Sequence, residues 1–317
     1  MNRFSEPVQT CVSPEIDIHQ HLWPEPLLRA LSLRREPPML VRRGAGWTLA
    51  LRGEPEAPVD LADHDPAARA ALVRTDGLDR ALVVPSSPLG IEALAADEAE
   101  PLLEAYHEGV RALPDEFGAW AAVGLVEPDP AALARLLDAG VVGACSAAGA
   151  LDGPDGLERL GPVLETLERH GAPLLVHPGP APPTTVALPG WWAALNGYVA
   201  TMQTAWHAFA VWGRPAHPAL RVCFAMLAGL APLQRERLVA RGGPAISDPD
   251  VFLDVSSYGG RTVDAVLREV GVDRLVYGSD RPVVAAADLP LGEAVRTALR
   301  QRNPARLLFT VTTEVPA

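Results

Sequence analysis

The segment Glu15-Ile16-Asp17-Ile18-His19-Gln20-His21-Leu22-Trp23-Pro24 alternates apolar residues, ends in two histidines spaced i, i+2, and breaks at a proline. In a β-strand that spacing sets both imidazoles on one face, about 7 Å apart along the chain. Two neutral ring nitrogens at one strand end are half of a transition-metal site, and imidazole suits zinc, iron or nickel. Two later segments offer the other half. Ala172-Pro173-Leu174-Leu175-Val176-His177-Pro178-Gly179 reads as a short buried strand delivering His177 just before a turn, and Leu275-Val276-Tyr277-Gly278-Ser279-Asp280-Arg281-Pro282 does the same for Asp280. Each residue has an ordinary alternative: a lone histidine after an apolar run is usually a core or loop residue, and Asp280 before Arg281-Pro282 could cap a helix. Together they form a plausible tetrad of three imidazoles and one carboxylate.

Other chemistries are excluded or weakened. The chain has no lysine, and all 27 of its basic residues are arginine, which removes Schiff-base and pyridoxal chemistry, a P-loop lysine and a carbamylated lysine bridging two metals. A single-metal site is therefore favoured. Cys11, Cys145 and Cys223 lie far apart with no Cys-x-x-Cys pair, so they read as buried or surface thiols in a reducing compartment. The net charge of −12 and the lack of a basic block disfavour nucleic acid. A small organic acid is the attractive substrate, because Arg281 follows the tetrad aspartate directly and arginine forks bind carboxylates. Arg42-Arg43 are better read as surface charges. Trp191, with Trp192 and Trp206, could line an apolar wall over a cyclic substrate, although core packing explains them equally well.

The elements that must position these residues alternate. After the first strand comes a Pro- and Arg-rich excursion over residues 25–64, with a hairpin pattern at 39–51 around Gly44-Ala45-Gly46. Strands are predicted at 81–85, 119–126, 141–146, 174–177, 221–226, 251–255 and 275–278, and helices at 66–76, 91–113, 130–139, 157–170 and 191–212. With the first strand this makes eight strand candidates, most of them separated by helices. Such order predicts an α/β protein, a (β/α)8 TIM barrel with an insertion after the first strand, whose active site lies at the C-terminal strand ends. At 317 residues and 48% apolar composition one domain spanning 1–317 is expected. No run approaches membrane-spanning length and residues 1–13 are polar, so a soluble cytoplasmic protein is expected.

The chain resembles the amidohydrolase superfamily, and within it the amidohydrolase-related branch that includes aminocarboxymuconate semialdehyde decarboxylase. The resemblance rests on His19-Gln20-His21-Leu22-Trp23-Pro24, Gly77-Leu78-Asp79-Arg80-Ala81-Leu82-Val83-Val84, the His177 strand, Gly278-Ser279-Asp280-Arg281-Pro282 and Asn303-Pro304-Ala305-Arg306-Leu307-Leu308-Phe309. It implies one divalent metal, usually zinc, held by His19, His21, His177 and Asp280, with Asp280 also accepting the proton of an activated water. It also implies a small-molecule substrate and a homodimer, with residues 25–64 as a candidate contact.

One position departs from the pattern. The family carries a histidine at the end of the sixth strand, and here Met226 stands in that place, with a thioether that cannot transfer protons. General acid–base help is worth roughly 10²–10⁴-fold, so its loss narrows the chemistry without abolishing it. His64, His207 and Tyr258 are the candidate substitutes, though His207 reads as a helix residue and His64, between two aspartates, as exposed. Three functions stay open: a metal-dependent hydrolase of a small amide, lactone or related cyclic compound, a non-oxidative decarboxylase on the same scaffold, and a non-catalytic or metal-free relative.

Overall fold

The computed structural model of the chain describes residues 13–183, 186–286 and 289–309, so Cys11 lies outside the described residues. Short strands alternate with helices. They are β1 (Ile16–Gln20), β2 (Met39–Arg43), β3 (Gly46–Ala50), β4 (Ala57–Val59), β5 (Arg80–Val83), β6 (Phe117–Ala119), β7 (Ala121–Ala122), β8 (Ala144–Ala147), β9 (Leu174–His177), β10 (Val222–Phe224), β11 (Val251–Asp254) and β12 (Leu275–Val276). Two parallel sheets run in the orders β1-β5-β6 and β12-β11-β10-β9-β8-β7, while β2, β3 and β4 form a separate antiparallel sheet.

Hydrogen bonds continue across both breaks between the parallel sheets. Only Trp120 separates β6 from β7, and its N–H donates to Val83 O at 2.9 Å. At the other break Ile18 N donates to Tyr277 O at 2.9 Å, Asp280 N to His19 O at 2.9 Å and His21 N to Arg281 O at 2.7 Å.

Two apolar clusters explain why the strands of the parallel sheets read as continuous apolar runs: those strands are covered on both faces. One contains Ile18, Leu82, Trp120, Cys145, Leu175, Cys223, Phe252 and Val276, all fully buried, from β1, β5, the β6–β7 junction, β8, β9, β10, β11 and β12. The larger cluster fills the space between strands and helices. Burying one such side chain is worth about 1.5–3 kcal/mol, so this sandwiching fixes the level of each strand. Trp120 adds a directional tie, its indole N–H donating to Ile18 O at 3.0 Å.

Two of the helices start at an aspartate that caps them. Asp65 accepts from Ala68 N before the helix Pro66–Thr75, and Asp129 accepts from Ala131 N and Ala132 N before Pro130–Asp138. The third predicted strand, 119–126, instead begins at Phe117 and ends at Ala122. The predicted helix 91–113 divides into a short 3-10 turn, Ile91–Ala93, and the helix Ala96–Arg111. The stretch 191–212 divides likewise, into Trp192–Leu195, Gly197–Ala208 and a wide π-turn, Phe209–Gly213.

Candidate metal centre

The two histidines of β1 owe their direction to an irregularity. Asp17 pairs with Ala81 and Gln20 with Val83, so two residues of β1, Ile18 and His19, lie opposite Leu82 alone. Such a bulge resets the in–out alternation. Ile18 therefore packs among the inner apolar residues, while His19 and His21 point the same way just above it, and Asp17 and Gln20 face the helix side. His177 ends β9. Asp280 follows β12 in the left-handed region, at φ 58, a conformation that side chains other than glycine adopt at a cost. It caps no helix among the described residues: its Oδ2 accepts from Ser257 Oγ at 2.9 Å.

These four residues converge. One ligand atom from each of His19, His21, His177 and Asp280 lies within 4.8 Å of all the others, and all four residues are buried. The three rings stand edge to face, with centroids 4.9–5.0 Å apart and interplanar angles of 81–89°. Each Nδ1 faces an acceptor: Asp254 Oδ2 at 2.5 Å for His19, Val84 O at 3.1 Å for His21 and Pro178 O at 2.9 Å for His177. Donation from Nδ1 leaves Nε2 as the free lone pair, which is how imidazole ligands are oriented in metal sites.

The electrostatics show how closely the four groups act on one another. Burial alone would push the His19 pKa down, but the Asp254 carboxylate, aided by Asp280, raises it to about 9. Burial and the two neighbouring imidazoles hold His177 well below its usual value. Asp280 would be raised by burial, yet the hydrogen bond from His21 and the surrounding imidazoles keep it well below the carboxylate range.

Asp254 is the residue that the sequence did not single out: it lies inside the predicted strand 251–255, whereas the observed strand β11 ends at it. It is fully buried and held in place, with Oδ1 accepting from Ser256 N at 2.7 Å and Oδ2 from Ser256 Oγ at 3.0 Å. Gly278 packs directly against it: a Cβ there would come within 2.3 Å of Asp254 Oδ1.

The other sequence candidates lie around the cluster or away from it. Met226 follows β10, the sixth parallel strand when β6 and β7 are taken as one. It starts a run of five left-handed residues through Leu230, and its backbone N–H donates to Ser256 Oγ at 3.4 Å. His64 is buried rather than exposed, because it stacks on Trp23 at 4.5 Å and accepts from Trp23 N at 3.1 Å. Burial, then Arg69, lowers it to about 4. His207 lines a separate cavity of about 210 Å³ with Asp248, Val251 and Arg274, at the N-terminal ends of β11 and β12 and so opposite the cluster. Tyr258 lines a hollow with Ser257 and Ser279 beside Asp280.

Trp206 is a core residue packed on Phe224, not a wall of the cleft. Trp191 and Trp192 are exposed and touch each other. Arg281 is engaged elsewhere, its guanidinium 2.9 Å from Asp76. Arg43 pairs with Glu56 and Arg42 lies over Trp47, both at the surface. Cys145 and Cys223 are buried thiols raised well above their usual value by desolvation. A cavity of about 380 Å³ opens at the C-terminal ends of β8 and β9, lined by Ala147, Gly149, Gly179, Pro180, Thr201 and Arg159. Arg159 is exposed there and makes no ion pair among the described residues.

No helix among the described residues is long and apolar enough to cross a membrane. No curated protein matches the chain. Solved structures do. The apo form of IDCase from Metarhizium anisopliae is 18% identical with a TM-score of 0.74, over 93% of this chain and 97% of that one. 5-Carboxyvanillate decarboxylase LigW from Sphingomonas paucimobilis is 19% identical with a TM-score of 0.70, over 93% and 99%. A dihydroxybenzoic acid decarboxylase from Polaromonas sp. JS666, solved with bound manganese and the inhibitor 2-nitroresorcinol, is 17% identical with a TM-score of 0.61, over 93% and 97%. At these identities the likeness establishes a shared fold. The family model described as Amidohydrolase matches residues 16–310, nearly the whole chain, and the chain belongs to that family.

Proposed function

We propose that the protein is a metal-dependent, non-oxidative decarboxylase of a small organic acid, with His19, His21, His177 and Asp280 as ligands of one divalent ion. We infer with it a closed (β/α)8 barrel in a single domain, an insertion over residues 25–64, and a cytoplasmic setting. The bonds joining β1 to residues 277–281 support the closure.

The observation that carries the reading is the convergence of three imidazole nitrogens and one carboxylate oxygen, with each Nδ1 directed at an acceptor. The donor set fits a cation on its own geometry. His19 Nε2 and His21 Nε2 lie 3.2 Å apart, and without a cation one of them must carry a proton to avoid facing lone pairs. Three nitrogens and one carboxylate are donors that zinc takes readily. Manganese, held by the Polaromonas relative, is the alternative ion.

When bound, the ion supplies positive charge that draws an acidic substrate to the imidazole side of the cleft and stabilises negative charge developing there. The chain's own contribution is the proton. Breaking the carbon–carboxylate bond leaves an electron pair on carbon, and that carbon must gain one proton as CO2 departs. Asp280, kept ionised by its imidazole neighbours, takes a proton from a substrate hydroxyl or a water and passes it to that carbon. Ser257 holds the other carboxylate oxygen and limits its rotation. One proton carrier suffices for this reaction, which suits a site where Met226 offers none. Two of the solved relatives are named as decarboxylases, which favours this reading over hydrolysis. Hydrolysis by the same ion and Asp280 is the second reading, favoured by the family match, and the retention of all four ligands argues against a non-catalytic relative.

The test is a panel of phenolic and heteroaromatic carboxylic acids set against matched lactones and amides, with CO2 release and hydrolytic product both followed. CO2 from an acid, lost in His177→Ala, is the expected result. Hydrolytic turnover without CO2 would transfer the assignment to the hydrolase.

A further inference from the structure

The bulge that turns the histidines inward leaves Asp17 and Gln20 on the other face of β1, where both are buried. Behind them lies Arg69, a buried arginine of the helix Pro66–Thr75. Its guanidinium has no carboxylate within ion-pair distance among the described residues. It donates instead to His21 O at 3.0 Å, Asp63 O at 3.1 Å, Gln20 Oε1 at 2.5 Å and Arg281 O at 3.4 Å. The Gln20 amide passes the connection on, with Nε2 donating to Asp17 Oδ2 at 2.8 Å. Asp17 Oδ1 accepts from His19 N at 3.0 Å and from Ser279 N at 3.1 Å.

Apart from Asp63 O, the backbone atoms gripped in this way are those of His19, His21, Ser279 and Arg281. They belong to or flank three of the four clustered residues, and they tie the end of β1 to the segment after β12. Burying a guanidinium against carbonyls alone is costly, and an apolar side chain would fill the same space. What the guanidinium adds is a rigid fork whose donors reach two chain segments at once. The amide between is equally specific, because it donates to Asp17 and accepts from Arg69, which neither a carboxylate nor a cation can do.

We propose that Arg69 and Gln20 are positioning residues of the metal centre, setting the spacing between the His19/His21 segment and the Asp280 segment. This rests on those residues being metal ligands.

The test is Co2+ titration of the full-length protein, read by the visible absorption of the bound ion. The proteins compared are wild type, Arg69→Met, Arg69→Lys, Gln20→Met, the Arg69→Met/Gln20→Met double variant, and Leu133→Ala as a control for general destabilisation. Arg69→Met and Gln20→Met should each weaken Co2+ binding about tenfold or more and alter the absorption band, as loss of supporting contacts does in other metal sites. The double variant should be little worse than Arg69→Met, because the two side chains act in one relay. Arg69→Lys should restore little, since an ammonium cannot span both segments, and Leu133→Ala should keep the wild-type band and affinity.

Folded variants with wild-type affinity and spectrum would overturn the proposal. If Arg69→Met fails to fold, the nearly isosteric Gln20→Met decides in the same way. A wild-type protein that binds no Co2+ would overturn the metal reading and this proposal together, whereas wild-type binding with unchanged variants would overturn this proposal alone.

Discussion

Replacing Gly278 by alanine should weaken metal binding through Asp254, a fully buried residue outside the four clustered ones. The added methyl would sit 2.3 Å from Asp254 Oδ1, 2.6 Å from its Cγ and 2.8 Å from Oδ2, so the carboxylate must retreat by about 1 Å to reach ordinary contact. It has little freedom to do so, being fully buried with both oxygens engaged by Ser256 and His19. A 1 Å retreat stretches the 2.5 Å contact with His19 Nδ1 to about 3.5 Å, where a hydrogen bond is effectively lost. A charge-assisted bond of this kind is worth about 1.5–3 kcal/mol, which agrees with the roughly 10–100-fold loss of metal affinity seen when an outer partner of a ligand is removed. Competition titration against a chelating indicator, with Zn2+ and with Mn2+, measures it directly. Gly161→Ala is the control: nothing lies within 4 Å of a Cβ there, and its helical site should accept alanine without loss. Affinity in Gly278→Ala within twofold of wild type would refute the coupling of Asp254 to the ligand set.

Elemental analysis should find about one equivalent of transition metal in native protein and none in the His19→Ala/His21→Ala variant, with both folded by circular dichroism. Arg159→Ala should raise KM for an acidic substrate by about tenfold with kcat nearly unchanged, if the free guanidinium in the 380 Å³ cavity binds a substrate anion; an unchanged KM removes Arg159 from the substrate site. His107 should make the fold acid-sensitive. Burial, then Arg111, lowers it to about 4, and its Nε2 accepts from Ala122 N at 3.1 Å, so the folded state requires the neutral ring. Between about pH 6.5 and 4 the unfolded chain binds the extra proton, so stability that is complete above pH 6.5 falls as pH drops through the window, by about 2 kcal/mol at pH 5. Urea midpoints at pH 7 and pH 5 check this, and His107→Gln should show a smaller difference.

The tetrad was legible because its members stand at or just past the ends of apolar runs that proline and glycine close, and such ends can be read from sequence. The antiparallel hairpin within residues 25–64 and the exact extent of β9 were legible for the same reason. Features set by partners distant in sequence were not. Strict alternation in β1 would send His19 to the face opposite Ile18, and only pairing with β5 shows that an extra residue turns both inward. Asp254 lies within a predicted strand with no breaker directly after it, and its partner, His19, lies 235 residues away. His64 looks exposed between two aspartates, and only its stacking on Trp23 accounts for its burial. The left-handed course from Met226 to Leu230 has a single glycine to announce it, at Gly229.

The extra residue in β1 also acts as a spacer. A regular strand one residue shorter would still aim two imidazoles inward, but the first would occupy the level of Ile18, about 3.3 Å deeper, among Leu82, Trp120 and Phe252. There it would meet hydrocarbon instead of His177 and Asp280. With the spacer present, Ile18 becomes a floor tile: it seals the apolar interior beneath the imidazoles and lifts them to the rim where the other strand ends deliver their ligands. Chemistry and core are thereby stacked on a single strand, one residue step apart.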